Sequence, residues 1–427
     1  MWRIPLQRLS LLPSVLRSFV CQDQSSCFLA DRMRFSQVPL GGLVTSTVAA
    51  VATTSNLFVS SYAGTISSLS LSPAAIGGYS LKTTSVNTVA QTSPSFLNKD
   101  ELNGVIYSVD EGFSGPNGSV SAYTAADSGK LTLLGRSTTL GGPVSSVVYN
   151  GGKGLALAHY GGSAVTSWTI LKNGTLSPLQ ALTLKLTSPG ADPSRQEAPH
   201  PHEVLIDPTD SFIVVPDLGA DLVRVYSIDK TTNLLTEKPS LVTPPGSGPR
   251  HGTFLKTDCG ETYFFLISEL ANTITSYRVT YGKNGLGFEK VFVSGTYGPK
   301  ATPAGAAAAE AILSPDHKYL LTSSRNDFLF QIPNPDPTNS TKIPSDTLQT
   351  WSIDADSGEL TFVQLVAAGG KFPRQFSLNK AGTLVAVGLQ RDSRVVVLER
   401  DVESGKIGGV VASVGVAGEV TSVIWDE

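Results

Sequence analysis

Charge and sulfur are scarce in this chain. Only 16% of its 427 residues are Asp, Glu, Lys or Arg, and the net charge of −3 offers no global field to attract nucleic acid or an anionic membrane. The three cysteines, Cys21, Cys27 and Cys259, form neither a disulfide framework nor a CxxC or Cys/His zinc spacing. Cys259, alone in the body of the chain, reads as a lone buried thiol rather than a nucleophile. No apolar run approaches the roughly 20 residues that a membrane span needs. There is also no Gly-x-Ser-x-Gly elbow, His-Glu-x-x-His helix, Walker A loop or dinucleotide fingerprint, which argues against serine nucleophiles and nucleotide chemistry.

Turn-formers are abundant: 41 Gly and 26 Pro, in a chain that is 41% hydrophobic. That balance suits many short strands joined by tight turns. The first segment, residues 1–54, reads as a targeting or presequence region. Arginines dominate its charge, and a second methionine, Met33, opens a stretch laid out like a secretory signal over 33–52, ending at Ala50-Val51-Ala52. The part before Met33 is either a mis-assigned start or a mitochondrial-type presequence. Asn-x-Ser/Thr sequons at Asn117, Asn173 and Asn339 fit a secreted chain, with a cytoplasmic or mitochondrial location as the alternative.

A repeat dominates residues 55–427. "HEVLIDPTDSFIVVPDLGADLVRVYSIDKTTNLL" is matched by "HGTFLKTDCGETYFFLISELANTITSYRV", by "EAILSPDHKYLLTSSRND" continuing at "LQTWSIDADSGELTFV", and by "RQFSLNKAGTLVAVGLQRDSRVVVLERDVESGKIG". Two earlier copies begin near Ser95 and Ser145. The first copy, "NLFVSSYAGTISSLSLSP", lacks an opening strand, which appears at the far end as "GEVTSVIWDE". Seven units of about 50 residues with several strands each predict an all-β, seven-bladed β-propeller closed by its N- and C-terminal strands. Closure removes exposed sheet edges. Two tandem sandwiches would not explain why the ends complement each other. The proline-rich "PNPDPTNSTKIP", residues 333–344, reads as a loop inserted in the sixth unit and overhanging one face.

Aligned repeats also predict a site. The polar residue ending each second strand is Tyr62, Glu111, Tyr160, Asp217, Glu269, Arg325 and, within a residue, Gln390. Such varied polar groups at one level suit the lining of an axial pocket. The residue entering each first strand is His202, His251, Ala309 or Glu310, Arg374 and Thr421, with Ser93 and Val144 in the earlier units. This alignment makes His202 and His251 equivalent. The prolines of "PHPHE" hold His200 and His202 on one face of an extended chain. Arginines bind carboxylate or phosphate bidentately and histidines move protons near neutrality. The set therefore suits acid–base chemistry on a small anionic molecule. A His200/His202 metal pair lacks obvious further ligands, so no metal is expected.

The segments "PHPHEVLIDPTDSFIVVPDLGADLVRVYSID", "GPRHGTFL", "ISELANTITSYRV", "LSPDHKYLLTSSRND" and "FPRQFSLNKAGTLVAVGLQ" resemble the seven-bladed lactonase family. That family includes propeller-type 6-phosphogluconolactonases and the fungal carboxy-cis,cis-muconate lactonizing enzymes. The resemblance implies a site of His202 in "HPHE", Arg250 in "GPRH", Glu269 in "SEL" and Arg325 in "SSRN", with no metal or organic cofactor. His200, His251, Arg374, Asp217, Tyr160 and Gln390 are expected to bind substrate. The expected activity is opening, or forming, the lactone of a small anionic sugar acid or of a carboxymuconate-like dicarboxylate. The alternatives are a ligand-binding propeller without turnover and a metal-dependent lactonase.

Overall fold

The computed structural model describes residues 54–74, 78–89 and 93–427. The proposed presequence at 1–54, the signal-like stretch at 33–52, Cys21 and Cys27 fall outside these residues, apart from residue 54 itself.

Seven four-stranded antiparallel sheets account for almost all of the described chain. In blade one the terminal strand Val420–Asp426 is innermost, followed outward by Ser55–Ser61, Thr65–Pro73 and Tyr79–Thr88. Blades two to five run from inside outward in chain order, with inner strands Pro94–Asp100, Pro143–Tyr149, Leu205–Ile206 and Pro249–Lys256. Blade six starts at Ala307–Leu313 and blade seven at Pro373–Leu378. The expected closure is thus present: Ser55–Ser61 pairs with Val420–Asp426. Among the described residues, no helix is long and apolar enough to cross a membrane.

The sequence pattern follows from two-sided burial. Each blade packs a face against both neighbours, so second strands such as Val105–Asp110 and Tyr319–Arg325 are buried at every position. A strand covered on both faces needs a continuous apolar run, whereas outermost strands such as Leu131–Leu140 alternate. Each neighbouring pair of blades shares an apolar cluster. Leu57 and Val423 meet Ala386 and Val397 where blade one joins blade seven, and Phe58 and Ile66 meet Ile106 and Tyr123 where it joins blade two. Equivalent clusters fill the remaining joints.

One local device recurs. Most inner strands carry a register shift at their first residues, between Pro94/Phe96, Pro143/Ser145, Pro249/His251, Ala308/Ala311 and Pro373/Gln375. Each shift inserts one extra residue, a β-bulge, which bends the strand and re-aims that side chain. In blade four the isolated Pro201–Asp217 bridge is offset in the same way from the Leu205–Val214 pair.

The insertion in blade six is more than a loop. Its flanks form a hairpin, Phe330–Pro333 with Lys342–Ser345, between the second and third strands of the blade. The Asp346 carboxylate anchors its base by accepting from the amides of Asp327, Phe328 and Phe372. Cys259 also departs from expectation. It is exposed in the turn after Lys256 rather than buried.

Closing the ring predicts a sensitive seam. Leu57→Ala, at a fully buried position paired with Trp425, should cost about 2–5 kcal/mol in urea unfolding. Deleting residues 418–427 should yield insoluble protein or abolish the cooperative melt. A soluble truncation melting at the wild-type temperature would contradict closure by the terminal strand.

Candidate active site

The bulges define the true equivalences at the channel mouth. The bulged positions are Ser95, Val144, Arg250, Ala309 and Arg374, with His202 in blade four. His202 is therefore equivalent to Arg250, not to His251, and Ser95 rather than Ser93 occupies the position in blade two. His251 aligns with Glu203 and Glu310 one step along. The sequence alignment slipped because "PH" and "RH" look alike, whereas the proline before every bulge but that of blade six, where Ala308 stands, carries the register.

A second mark fixes the outer ring. The backbone N–H groups of Tyr62, Glu111, Tyr160, Leu218, Glu269 and Gln390 each donate to the carbonyl just before an inner strand. Leu218, not Asp217, holds this position in blade four. Asp217 is fully buried, and its carboxylate accepts from the amides of His200 and Ala220 and, at 2.8 Å, from Arg224 Nε. It braces the turn that presents His200. A Cβ at Gly219 in that turn would overlap the Ala198 carbonyl, so glycine lets the two segments pass closely.

Glu269 gathers the arginines. Its Oε2 lies 2.9 Å from Arg250 Nε and 2.8 Å from Arg325 Nη2, and its Oε1 lies 2.7 Å from Arg195 Nη2. Carbonyls also hold the two deeper guanidinium groups: Arg250 donates to Ala309 and Arg325 to Ala308. Burial pushes the Glu269 carboxyl up, but Arg325, Arg250 and Arg195 outweigh it and hold the group well below its usual range. Burial and the neighbouring Arg325 push Arg250 down to about 9, so it remains charged at neutral pH.

Arg195 escaped the sequence reading. It sits on the segment between blades three and four, where no repeat register exists to expose it. The fully buried Gln196 ties that segment down by donating to the Leu218 carbonyl, while Asp192 braces the turn before Arg195. The "SRQE" run preceding "PHPHE" was the only available hint.

His202, Arg250, His251, Arg374 and Gln375 line a narrow crevice with a volume of about 10 Å³, roughly the room of one water molecule. Burial, then the charge of Arg250, His251, Arg374 and Arg325, pushes His202 well below its ordinary value and keeps it neutral. Tyr160 stands edge-on to His202, with ring centroids 5.5 Å apart, and stacks on His200 at 4.3 Å. His200 is engaged at both ring nitrogens, by the Tyr160 carbonyl and by Glu197. Gln390 donates to Glu419 near the joint of blades seven and one. His159 lies inside blade three, bonded to Thr166 and the Leu140 carbonyl, and burial pushes it down to about 4.

The structure thus brings together His202, Arg250, Glu269, Arg325 and Arg374, with Tyr160 and His200 behind His202, and leaves Asp217 apart. Glu203, His251 and Glu310 are the buried group whose spacing could hold a cation. However, His251 Nδ1 already lies 2.7 Å from Glu310 Oε1, and Arg250 is close enough to act on both Glu203 and Glu310.

The chain thus combines a seven-bladed propeller with a carboxylate held by three arginines beside a neutral histidine. Residues 56–425 match the family described as "Lactonase, 7-bladed beta-propeller", and the chain belongs to that family. It is 30% identical over 328 residues to a protein of Arthroderma benhamiae named "Probable 6-phosphogluconolactonase", covering 76% of this chain and 78% of the relative. It is 25% identical to the Bacillus subtilis 6-phosphogluconolactonase over 329 residues, 76% of this chain and 85% of that one. In fold it is similar to the Pseudomonas aeruginosa periplasmic gluconolactonase, with TM-score 0.70 and 24% identity over 88% of this chain and 99% of that one.

Removing the central carboxylate should expose its role. Glu269→Gln leaves the buried guanidinium groups without their partner and should destabilise by about 3–5 kcal/mol at pH 7. The Glu269 carboxyl is depressed in the fold, so its contribution is full above the unfolded value near 4.3 and fades as pH falls toward the folded one. The gap between variant and wild type should therefore hold from pH 7 to 5 and close only below about 4, read by denaturant midpoints.

Proposed function

We propose that this protein hydrolyses the lactone ring of a small anionic sugar acid. The observation that carries the reading is the neutral His202 lining the same cavity as Arg250, with Glu269 holding Arg250 and Arg325 in place. The names of the relatives support the substrate class.

His202 takes a proton from water as its oxygen attacks the lactone carbonyl carbon. Arg250 and Arg325 face the negative charge that develops on the carbonyl oxygen. The ring C–O bond then breaks, and the departing ring oxygen recovers the proton from His202. Glu269 orients the arginines instead of reacting, because three guanidinium groups already occupy its oxygens. Arg374, partly buried at the cavity, and Arg195, whose side chain is 39% exposed, hold the anionic substituent. That anion offsets the positive charge around His202 and raises its basicity when substrate is present.

Purified full-length protein should hydrolyse 6-phosphogluconolactone, with Arg250→Ala lowering kcat about 10²–10³-fold. Gluconolactone and carboxymuconate serve as the other arms, for an uncharged sugar lactone and for cyclisation. Absence of turnover with all three would sink the enzymatic reading in favour of a binding propeller.

We also propose a secreted location. Asn117, Asn173 and Asn339 are all exposed, as glycan acceptors must be. A mobility shift of the natively expressed protein on glycosidase treatment is the expected outcome. An unshifted, cytosolic protein would refute it.

A further inference from the structure

A row of polar groups runs around the channel through three consecutive blades. His202 Nδ1 lies 3.1 Å from His251 Nε2, and His251 Nδ1 lies 2.7 Å from Glu310 Oε1. All three residues are buried, His251 at 3% exposure and Glu310 at 4%. Nothing in the proposed chemistry uses His251 or Glu310 directly. Resting on that reading of His202, we infer that His251 and Glu310 are positioning residues that fix His202 as its Nδ1–H tautomer, leaving Nε2 to accept the proton of the attacking water.

The assignment follows from counting donors. A backbone amide can only donate, and the Ala311 N–H donates to Glu310 Oε1 at 2.9 Å. That oxygen is an acceptor, so His251 Nδ1 carries a hydrogen toward it. Burial, with the charge of Arg250, pushes His251 below its ordinary value despite the Glu310 contact, so a single proton on the ring is the expected state at neutral pH. The proton on Nδ1 leaves Nε2 with a lone pair. His202 is also neutral, so the short contact between the rings requires His202 Nδ1 to donate. The free lone pair of His202 then lies on Nε2. An orienting partner on the opposite ring nitrogen is what selects a tautomer and keeps the imidazole in position.

Glu203 completes the cluster. Its Oε1 lies 3.6 Å from His251 Nδ1 and its Oε2 accepts from the Gly252 amide at 2.8 Å. Burial and the neighbouring Glu310 push its carboxyl well above the ordinary carboxylate range. A divalent cation there would have to displace the His251 proton beside Arg250, so the hydrogen-bonded arrangement accounts for these residues better than a metal.

The test uses full-length protein labelled with ¹⁵N-histidine, and long-range ¹H–¹⁵N correlations at pH 7 report each ring's tautomer. Signals are assigned by their loss in His202→Gln and His251→Gln. The expected wild-type spectrum shows His202 protonated at Nδ1 and bare at Nε2, and His251 likewise. His251→Phe removes the acceptor, so His202 should become a mixture of tautomers and kcat should fall about 10–100-fold with KM little changed. His251→Gln offers a carbonyl in its place and should restore most of the loss, which separates positioning from a folding defect. A His202 imidazolium or Nε2–H tautomer in the wild type overturns the inference, as does full activity in His251→Phe. Thermal stabilisation by Ca²⁺, Mn²⁺ or Zn²⁺ that Glu310→Gln abolishes would put a metal at Nδ1 and overturn it too. If the wild type turns over no lactone, the proposed function fails while the spectrum alone still decides the tautomer.

Discussion

Every blade of this protein is buried on both faces, and that constraint organises the rest. A four-stranded sheet with two apolar faces has no stable existence in water. It survives because a neighbour covers each side, and the last blade must therefore meet the first. The terminal strand Val420–Asp426 supplies the inner strand of blade one, and the cluster of Leu57, Val423, Ala386 and Val397 seals the joint. The apolar, weakly charged composition is the direct consequence.

Circular closure also creates the site. Inner strands converge on an axis at which side chains from different blades come within bonding distance. A bulge at the first residues of an inner strand releases one side chain from the ladder and turns it toward the opening. In blades four, five and seven these residues are His202, Arg250 and Arg374. Like charges so close would repel, and Glu269 offsets that repulsion by contacting Arg250, Arg325 and Arg195. Its own ionisation is stabilised in return, so a deeply buried carboxylate and its arginines are tolerated as a unit.

The fold was largely legible because repetition is a one-dimensional signal. Strand runs, turn residues and the complementary ends each appear in linear order, and the seven-bladed ring follows from them. The strand-end equivalences were legible for the same reason: Glu269, Arg325 and Gln390 follow or end equivalent strands, as the alignment expected. The errors were errors of register. His251 was set equivalent to His202, and Asp217 was placed where Leu218 stands, because a bulge adds one residue and the alignment followed the histidines instead of the proline that precedes it. Tyr160 and His200 look alike as candidates in the sequence, yet His200 has both ring nitrogens occupied by the Tyr160 carbonyl and Glu197.

The sequence by itself determined the ring of sheets, its closure and the residue types at its mouth, since alternation, apolar runs and repeats are properties of the linear chain. Only the tertiary structure decided which of those residues meet. Arg195 reaches Glu269 from 74 positions away, and His202 reaches His251 from 49, across blades that the chain connects only by long detours. Contacts of that kind depend on the angle at which neighbouring sheets pack and on the bulge that turns each side chain, and neither quantity is written in local residue order.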